Sequence, residues 1–250
     1  MKKYKALMLD LDGTTIPNRK DGVPSQKVIE AIARASKIVK VGIATARPLF
    51  MVSHILDKLE LSGPLIINSG AEIIDSKTRK TLYEQVMDEN VAKTVCELLV
   101  LLKINFLIHD LKENVSYTDK YIIEKPSHIF VPDITHVTGN LLIKKLENIS
   151  SIAVHKVPSW SKGKIGLLIS HTSATKQHAI LKVSELLKIE THNIIGVGDG
   201  YNDFPLLMAC GLKVAMGNAV PELKEIADYI APSVQDDGVV WVIEKFILPH

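Results

Sequence analysis

Three short apolar runs, far apart in the chain, each end on a polar cluster. Leu7–Leu9 runs into Asp10-Leu11-Asp12-Gly13-Thr14, Val39–Ala44 into Thr45-Ala46-Arg47-Pro48, and Ile194–Val197 into Gly198-Asp199-Gly200. A brief unbroken apolar run is the pattern of a strand buried on both faces, which requires a parallel sheet covered by helices. The intervening residues supply those helices. Val28, Ile29, Ile32 and Ala33 make one helical stripe behind Pro24-Ser25, and Val52, Ile55, Leu56 and Leu59 make a second. Leu65–Ile67 reads as a third strand before the turn Asn68-Ser69-Gly70, and Ile73-Ile74 and Thr81-Leu82-Tyr83 flank 77–80 like a hairpin. From Thr175 the alternation resumes, with a helix through Ala179, Ile180, Val183 and Leu187, a short helix at Phe204–Ala209, a strand at Leu212–Ala215 and a helix opened by Pro221. Tyr229-Ile230 and Val239–Phe246 close the chain as strand and helix. The expected fold class is α/β, a parallel sheet covered by helices on both faces.

The middle of the chain follows another rule. Val91, Val95, Leu98, Leu99 and Leu102 form a helical stripe after Asp88, and strand patterns follow at Ile104–His109, Asn114–Thr118 and His128–Val131. A helix through Leu141, Leu142 and Leu146 and strands at Ile152–Val157 and Lys164–Ile169 complete a helix–strand–strand pattern made twice, an α+β arrangement. The expected division is a discontinuous core, 1–83 with 173–250, interrupted by an inserted unit at 84–172.

Composition narrows the partners. A length of 250 residues gives one to two domains, and a net charge of +2 without a Lys/Arg-rich run gives no footprint for nucleic acid. The apolar run behind Met1-Lys2-Lys3 meets Asp10 too soon for a signal-peptide core, and Lys103 and Asn105 interrupt the Leu98–Leu102 patch well short of a membrane span. Cys96 and Cys210 fall in helical patterns as buried free thiols of a reducing compartment, so a cytoplasmic monomer or homodimer is expected. The nine histidines form no metal-ligand pair and no P-loop is present, which sets aside a zinc site and P-loop nucleotide chemistry.

In parallel α/β sheets ligands sit beyond the carboxyl ends of the strands, where all three polar clusters lie. Asp10 and Asp12, two residues apart in extended chain, lean to one side, and neighbouring carboxylates tend to retain a proton between them. That suits a nucleophile, Asp10, which forms an aspartyl-phosphate, and an acid/base, Asp12, which protonates the leaving oxygen and then activates water. Mg²⁺ takes oxygen ligands and would relieve the repulsion between carboxylate and phosphate. Asp10, Asp12 through a nearby backbone carbonyl, and Asp199 would ligate it, with Asp203 in support. Thr45 offers a hydroxyl to the phosphoryl group and Arg47 a guanidinium to phosphate or substrate. Lys176, at a helix start where the dipole opposes a cation, is accounted for by a bound phosphate and the carboxylates around it. Each feature also has a plainer account: turn carboxylates, a strand-to-helix turn at Thr45–Pro48, a surface lysine, and Asp203 as cap of the helix at Phe204. Trp160–Lys164 reads as a hairpin connection or a substrate loop.

Taken in order, Asp10-x-Asp12-Gly13-Thr14, Thr45-x-Arg47, Lys176 and Gly198-Asp199-x-x-Asn202-Asp203 resemble the haloacid dehalogenase superfamily, in its Cof-like, type IIB phosphatase branch. The turn Asn68-Ser69-Gly70-Ala71 is similar to an Asn-Gly-Ala feature of that branch. Ala46, Gln177 and Thr15 depart from residues common there. The resemblance implies Mg²⁺-dependent hydrolysis of a small phosphorylated metabolite, such as a sugar phosphate or phosphoglycolate. It implies that Asp10 is the nucleophile and Asp12 the acid/base, that Thr45 and Lys176 hold phosphate, and that Asn202 and Asp203 support Asp199 at the metal. It also implies a Rossmann-like three-layer parallel-sheet core, with 84–172 as an inserted α+β cap of type II. A phosphomutase of the phosphomannomutase type and a non-catalytic binding protein on the same fold are the alternatives.

Overall fold

The computed structural model describes residues 4–19, 21–110, 113–159 and 161–249, so Met1-Lys2-Lys3 and Trp160 lie outside the described residues. The chain divides into two compact units, Met1–Glu84 with Thr175–His250, and Gln85–Ala174. The first segment holds β1 (Ala6–Leu9), α1 (Gln26–Ser36), β2 (Lys40–Ile43), α2 (Leu49–Leu56), β3 (Leu65–Ile67), β4 (Glu72–Ile74) and β5 (Thr81–Glu84). The inserted segment holds α3 (Glu89–Leu101), β6 (Leu107–Asp110), β7 (Glu113–Val115), β8 (Pro126–Ile134), α4 (His136–Leu146), β9 (Ile152–Pro158) and β10 (Ile165–His171). The chain returns with α5 (Lys176–Leu187), β11 (Ile194–Gly198), α6 (Phe204–Ala209), β12 (Leu212–Ala215), α7 (Pro221–Ile226), β13 (Tyr229–Ile230) and α8 (Gly238–Phe246).

The core sheet is parallel, in the order β13-β12-β11-β1-β2. Every side chain of β1 is buried, and Leu7, Met8 and Leu9 have no exposed surface. Burial of each such side chain contributes roughly 1.5–3 kcal/mol, which anchors the residue that follows, Asp10. From the central pair β1/β11 the chain moves outward in opposite directions, through α1 to β2 and through α6 to β12. Right-handed crossovers then place α1 and α6 on opposite faces, which gives three layers and a crevice where the two halves diverge, at the carboxyl ends of β1 and β11. Helix starts follow local chemistry. The Ser25 hydroxyl accepts from Val28 N at 3.2 Å to cap α1, and Asp88 accepts from Asn90 N and Val91 N to cap α3.

Two expectations change. Leu65–Ile67 is a strand but not a full member of the parallel sheet: β3 pairs antiparallel with β4, and β4 with β5, in a separate three-stranded sheet. One parallel bridge, Ala44 to Ile66, ties it to the core. The reason is the turn at Asn68–Gly70, whose three residues all have positive φ and fold the chain straight back. In the inserted unit all three strands expected between α3 and α4 form, so the unit is not helix–strand–strand twice over, and the antiparallel sheet runs β7-β6-β8-β10-β9. Helices α3 and α4 bury Ala92, Val95, Cys96, Leu99, Leu142 and Leu146 in one cluster with Ile108, Ile129, Val131, Leu167 and Ile169. The alternation of β6 and β8 turns His109 and His128 to the opposite face, where their rings stack with centroids 4.9 Å apart. Ser159 and Ser161–Lys164 connect β9 to β10, whose pairing is antiparallel, so the stretch is a hairpin connection. Cys96 and Cys210 are free and buried. Among the described residues no helix is long and apolar enough to cross a membrane.

Candidate active site

Asp10 leaves β1 still attached to the sheet, its N–H donating to Val197 O at 2.9 Å. The chain then closes on itself: Thr15 Oγ1 donates to Asp10 O at 2.6 Å, and the N–H groups of Thr15 and Ile16 both reach Leu11 O at 2.9 Å. Gly13 makes the loop feasible. Its φ is +82°, and a Cβ there would lie 2.1 Å from Asp199 Oδ2, so only glycine lets the Asp199 carboxylate press against the loop. The carboxylates of Asp10 and Asp12 part company. Asp10 is 4% exposed and faces Lys176, whereas Asp12 is held in a two-pronged ion pair by Arg47, whose Nε lies 2.8 Å from Asp12 Oδ2 and whose second prong reaches Oδ1. Arg47, expected on phosphate or substrate, thus has its guanidinium on the second carboxylate of the motif.

Lys176 is the first residue of α5, behind Thr175, whose hydroxyl accepts from His178 N at 3.3 Å. It is 2% exposed, and its Nζ donates at 2.6 Å to Asp10 Oδ1 and at 2.6 Å to Asp203 Oδ1. Burial alone would lower its pKa, but the charges of Asp10 and Asp203 and the two hydrogen bonds raise it above the ordinary lysine value. It is a fixed cation at a position the helix dipole disfavours, held there by carboxylates. The turn Asn68–Gly70 packs beneath it: Gly70 has φ +110°, and a Cβ there would lie 2.3 Å from Thr175 O. The same turn braces the second polar cluster, with Ser69 N on Thr45 O at 3.0 Å and Asn68 N on Arg47 O at 3.2 Å. Thr45 is 1% exposed, and its hydroxyl oxygen accepts from Arg47 N at 3.1 Å.

At the end of β11, Asp203 does not cap α6. No side-chain cap bond forms there, and Oδ2 turns back to accept from Asp199 N at 2.9 Å and Gly200 N at 3.0 Å, leaving Oδ1 for Lys176. Asp203 therefore shapes the loop that presents Asp199. Asn202 lies in the same turn, half-buried, with its Oδ1 beside Gly200. Asn218, which the sequence reading passed over, touches both catalytic-motif loops. Its Nδ2 donates to Gly13 O at 2.8 Å and to Asp199 Oδ2 at 3.1 Å, and its Oδ1 accepts from Val234 N at 2.8 Å. It was findable, because it lies in the turn just beyond the apolar strand Leu212–Ala215, at the same edge of the sheet as Asp10.

One oxygen from each of Asp10, Asp199 and Asp203 lies within 4.8 Å of the others. Burial and the charge of Asp203 push the Asp10 pKa well above the carboxylate range, against the pull of Lys176. The same two causes raise Asp199 to about 7. Burial raises Asp12 as well, partly offset by Arg47. Three clustered carboxylates against one ammonium leave an excess of buried negative charge, which a divalent cation would neutralise. The donors are all oxygen, which fits a hard cation, so this cluster can hold a metal. The Asp12 carboxylate is outside the cluster, and only its backbone remains as a contributor.

Comparison with known proteins gives the family. Residues 7–243 match the family model described as haloacid dehalogenase-like hydrolase, and the chain belongs to that family. It is 27% identical over 271 residues to the putative phosphatase YxeH of Bacillus subtilis, covering 98% of this chain and 99% of the relative. It is also 27% identical over 289 residues to the 5-amino-6-(5-phospho-D-ribitylamino)uracil phosphatase YwtE of the same organism, covering 97% and 98%. In fold it is similar to a haloacid dehalogenase-like hydrolase from Bacteroides thetaiotaomicron, with a TM-score of 0.81, 23% identity, and 97% and 99% of the two chains covered.

Proposed function

We propose that this protein hydrolyses small phosphate monoesters with Mg²⁺ as cofactor, through an aspartyl-phosphate on Asp10. The observation that carries the reading is the placement of Asp10: a buried carboxylate at the sheet's crevice, bonded to Lys176 and clustered with Asp199 and Asp203. Asp10 attacks phosphorus, and the ester P–O bond breaks. Asp12, whose pKa burial raises, delivers its proton to the leaving oxygen. Asp12, then ionised, takes a proton from water. That water attacks the same phosphorus and releases inorganic phosphate and free Asp10. Arg47 holds Asp12 in one orientation for both transfers. Lys176 offsets charge on the phosphoryl oxygens, and Thr45, whose oxygen already accepts from Arg47 N, has its hydroxyl hydrogen to donate to one of them. Mg²⁺ held by Asp10, Asp199 and the backbone near Asp12, with Asp203 in support, would supply the positive charge that lets a carboxylate approach a phosphate dianion. Asn202, half-buried in the Asp199 loop, is the residue we assign to contact the phosphoryl group from that side.

Residues 85–174 occupy the sequence position of a type II cap, and we assign substrate choice to them. The YwtE relative, a 5-amino-6-(5-phospho-D-ribitylamino)uracil phosphatase, makes phosphorylated polyols the first substrates to try. Hydrolysis of a chromogenic phosphomonoester tests the reading. Release of phosphate that needs Mg²⁺ and disappears in Asp10→Asn is expected, and equal rates in wild type and variant would overturn the assignment. A hexose bisphosphate converted to an isomerised monophosphate without free phosphate would favour a mutase.

A further inference from the structure

The turn that follows β12 is built around Asp199. Met216 N donates to Gly198 O at 3.0 Å on one side of it, and Val220 N to Asp199 O at 2.9 Å on the other. Between them Asn218 places its amide on the Asp199 carboxylate and on the carbonyl of Gly13. All its polar atoms are committed, and the commitments fix its orientation. Gly13 O and Asp199 Oδ2 are acceptors and demand the NH₂, while Val234 N–H is a donor and demands the carbonyl oxygen. A reversed amide would face two acceptors with a third.

We infer that Asn218 is a positioning residue for the metal: its amide holds the Asp199 carboxylate against the Gly13 loop and so keeps it in the cluster with Asp10 and Asp203. The inference rests on the proposed metal reading and adds a residue to it. Two features support it. A Cβ at Gly13 would lie 2.1 Å from Asp199 Oδ2 and 2.9 Å from Oδ1, so the carboxylate packs directly against the bare glycine backbone. The Asn218 amide bonds that same Oδ2 at 3.1 Å. Without it, Asp199 would be free to swing away from the cluster, and its repulsion from Asp203 would drive it to do so. Groups that orient a metal ligand from behind typically govern affinity by 10–100-fold.

The test measures binding of Mn²⁺ alone to metal-stripped protein by electron paramagnetic resonance of the free ion. Asn218→Ala is expected to weaken Mn²⁺ binding at least about tenfold. Its hydrolysis should recover at saturating Mg²⁺, with KM for the phosphomonoester unchanged. Asn218→Ser, which keeps a hydroxyl in the turn, serves if the alanine variant does not fold. Lys224→Ala is the structural control: Lys224 Nζ donates to Gly217 O at 2.6 Å, so its loss loosens the same turn without touching Asp199. Its Mn²⁺ affinity should match wild type. Equal Mn²⁺ affinity in wild type and Asn218→Ala overturns the inference alone, as does equal weakening in Lys224→Ala. Wild-type protein that binds no Mn²⁺ overturns the metal reading itself.

Discussion

Both units bury charged or titratable side chains, and they do so in opposite ways. In the inserted unit Asp110 is fully buried, and its carboxylate accepts from Tyr121 OH at 3.0 Å, Glu124 N at 2.9 Å and Lys125 N at 2.5 Å. His128 lies against His109 with Ser127 Oγ 3.0 Å from its Nδ1, and burial holds its pKa down to about 3, so it is neutral. Buried polarity there is matched by donors or discharged. The core unit keeps three carboxylates around one ammonium, in surplus, with Asp10 and Asp199 raised by the conflict. Structural burial resolves charge, and catalytic burial leaves it unresolved until a ligand arrives.

The contrast can be broken most sharply at Asp10. Asp10→Asn should lower turnover by roughly 10⁴-fold or more, as loss of a nucleophile does. It removes one of the three competing charges, so its thermal midpoint should hold or rise. A midpoint that drops steeply would put Asp10 in the class of Asp110. Lys176→Met removes the ammonium and strands two buried carboxylates, and it should cost about 3–5 kcal/mol in denaturant unfolding at pH 7. Much of that loss should return when Mg²⁺ is added, because the cation takes over the neutralisation. In the inserted unit, Asp110→Ala leaves buried backbone donors unmatched and should cost about 2–3 kcal/mol. Titration calorimetry should find its Mg²⁺ affinity unchanged.

The remaining effect is a pH slope. His128 is neutral when folded down to about 3, whereas an unfolded histidine protonates near 6.5. Between those values the unfolded state binds the extra proton, so this stability is complete above about 6.5 and is lost as pH falls toward 3, at up to about 1.4 kcal/mol per pH unit. His128→Phe, which keeps a flat ring against His109, should flatten that slope in urea melts collected from pH 7 to pH 4. An unchanged slope would mean that another group carries the acid sensitivity.

The sheet-edge clusters were legible because an apolar run that stops at a polar group is a local signal. Asp10, Thr45 and Asp199 could be put at one edge before any coordinates, and Lys176 joined them because a cation at a helix start asks for an explanation. What stayed hidden depended on where side chains turn. Nothing local says that Arg47 forks onto Asp12, or that Asp203 folds back to Asp199 and Gly200 instead of capping α6. The departure of β3 from the main sheet was equally invisible, because three apolar residues fit either pairing, and the left-handed turn at Asn68–Gly70 decides between them. Asn218 had a readable position but sits at a strand end without a carboxylate, so a search for charged groups slid past it.

The ion pair between Lys176 and Asp10 joins residues 166 positions apart, and Asp203 enters later still. On a ribosome adding about 5–20 residues per second, roughly ten to forty seconds separate the emergence of Asp10 from that of Asp203. During that interval β1 has β2 beside it but not β11, and the Asp10 carboxylate has neither its ammonium nor its companions. The inserted unit, complete by Ala174, is contiguous and can fold while the core waits. On the proposed mechanism, activity is therefore the last thing the growing chain acquires: a nascent or truncated protein ending before α5 carries the proposed nucleophile but not the groups that surround it.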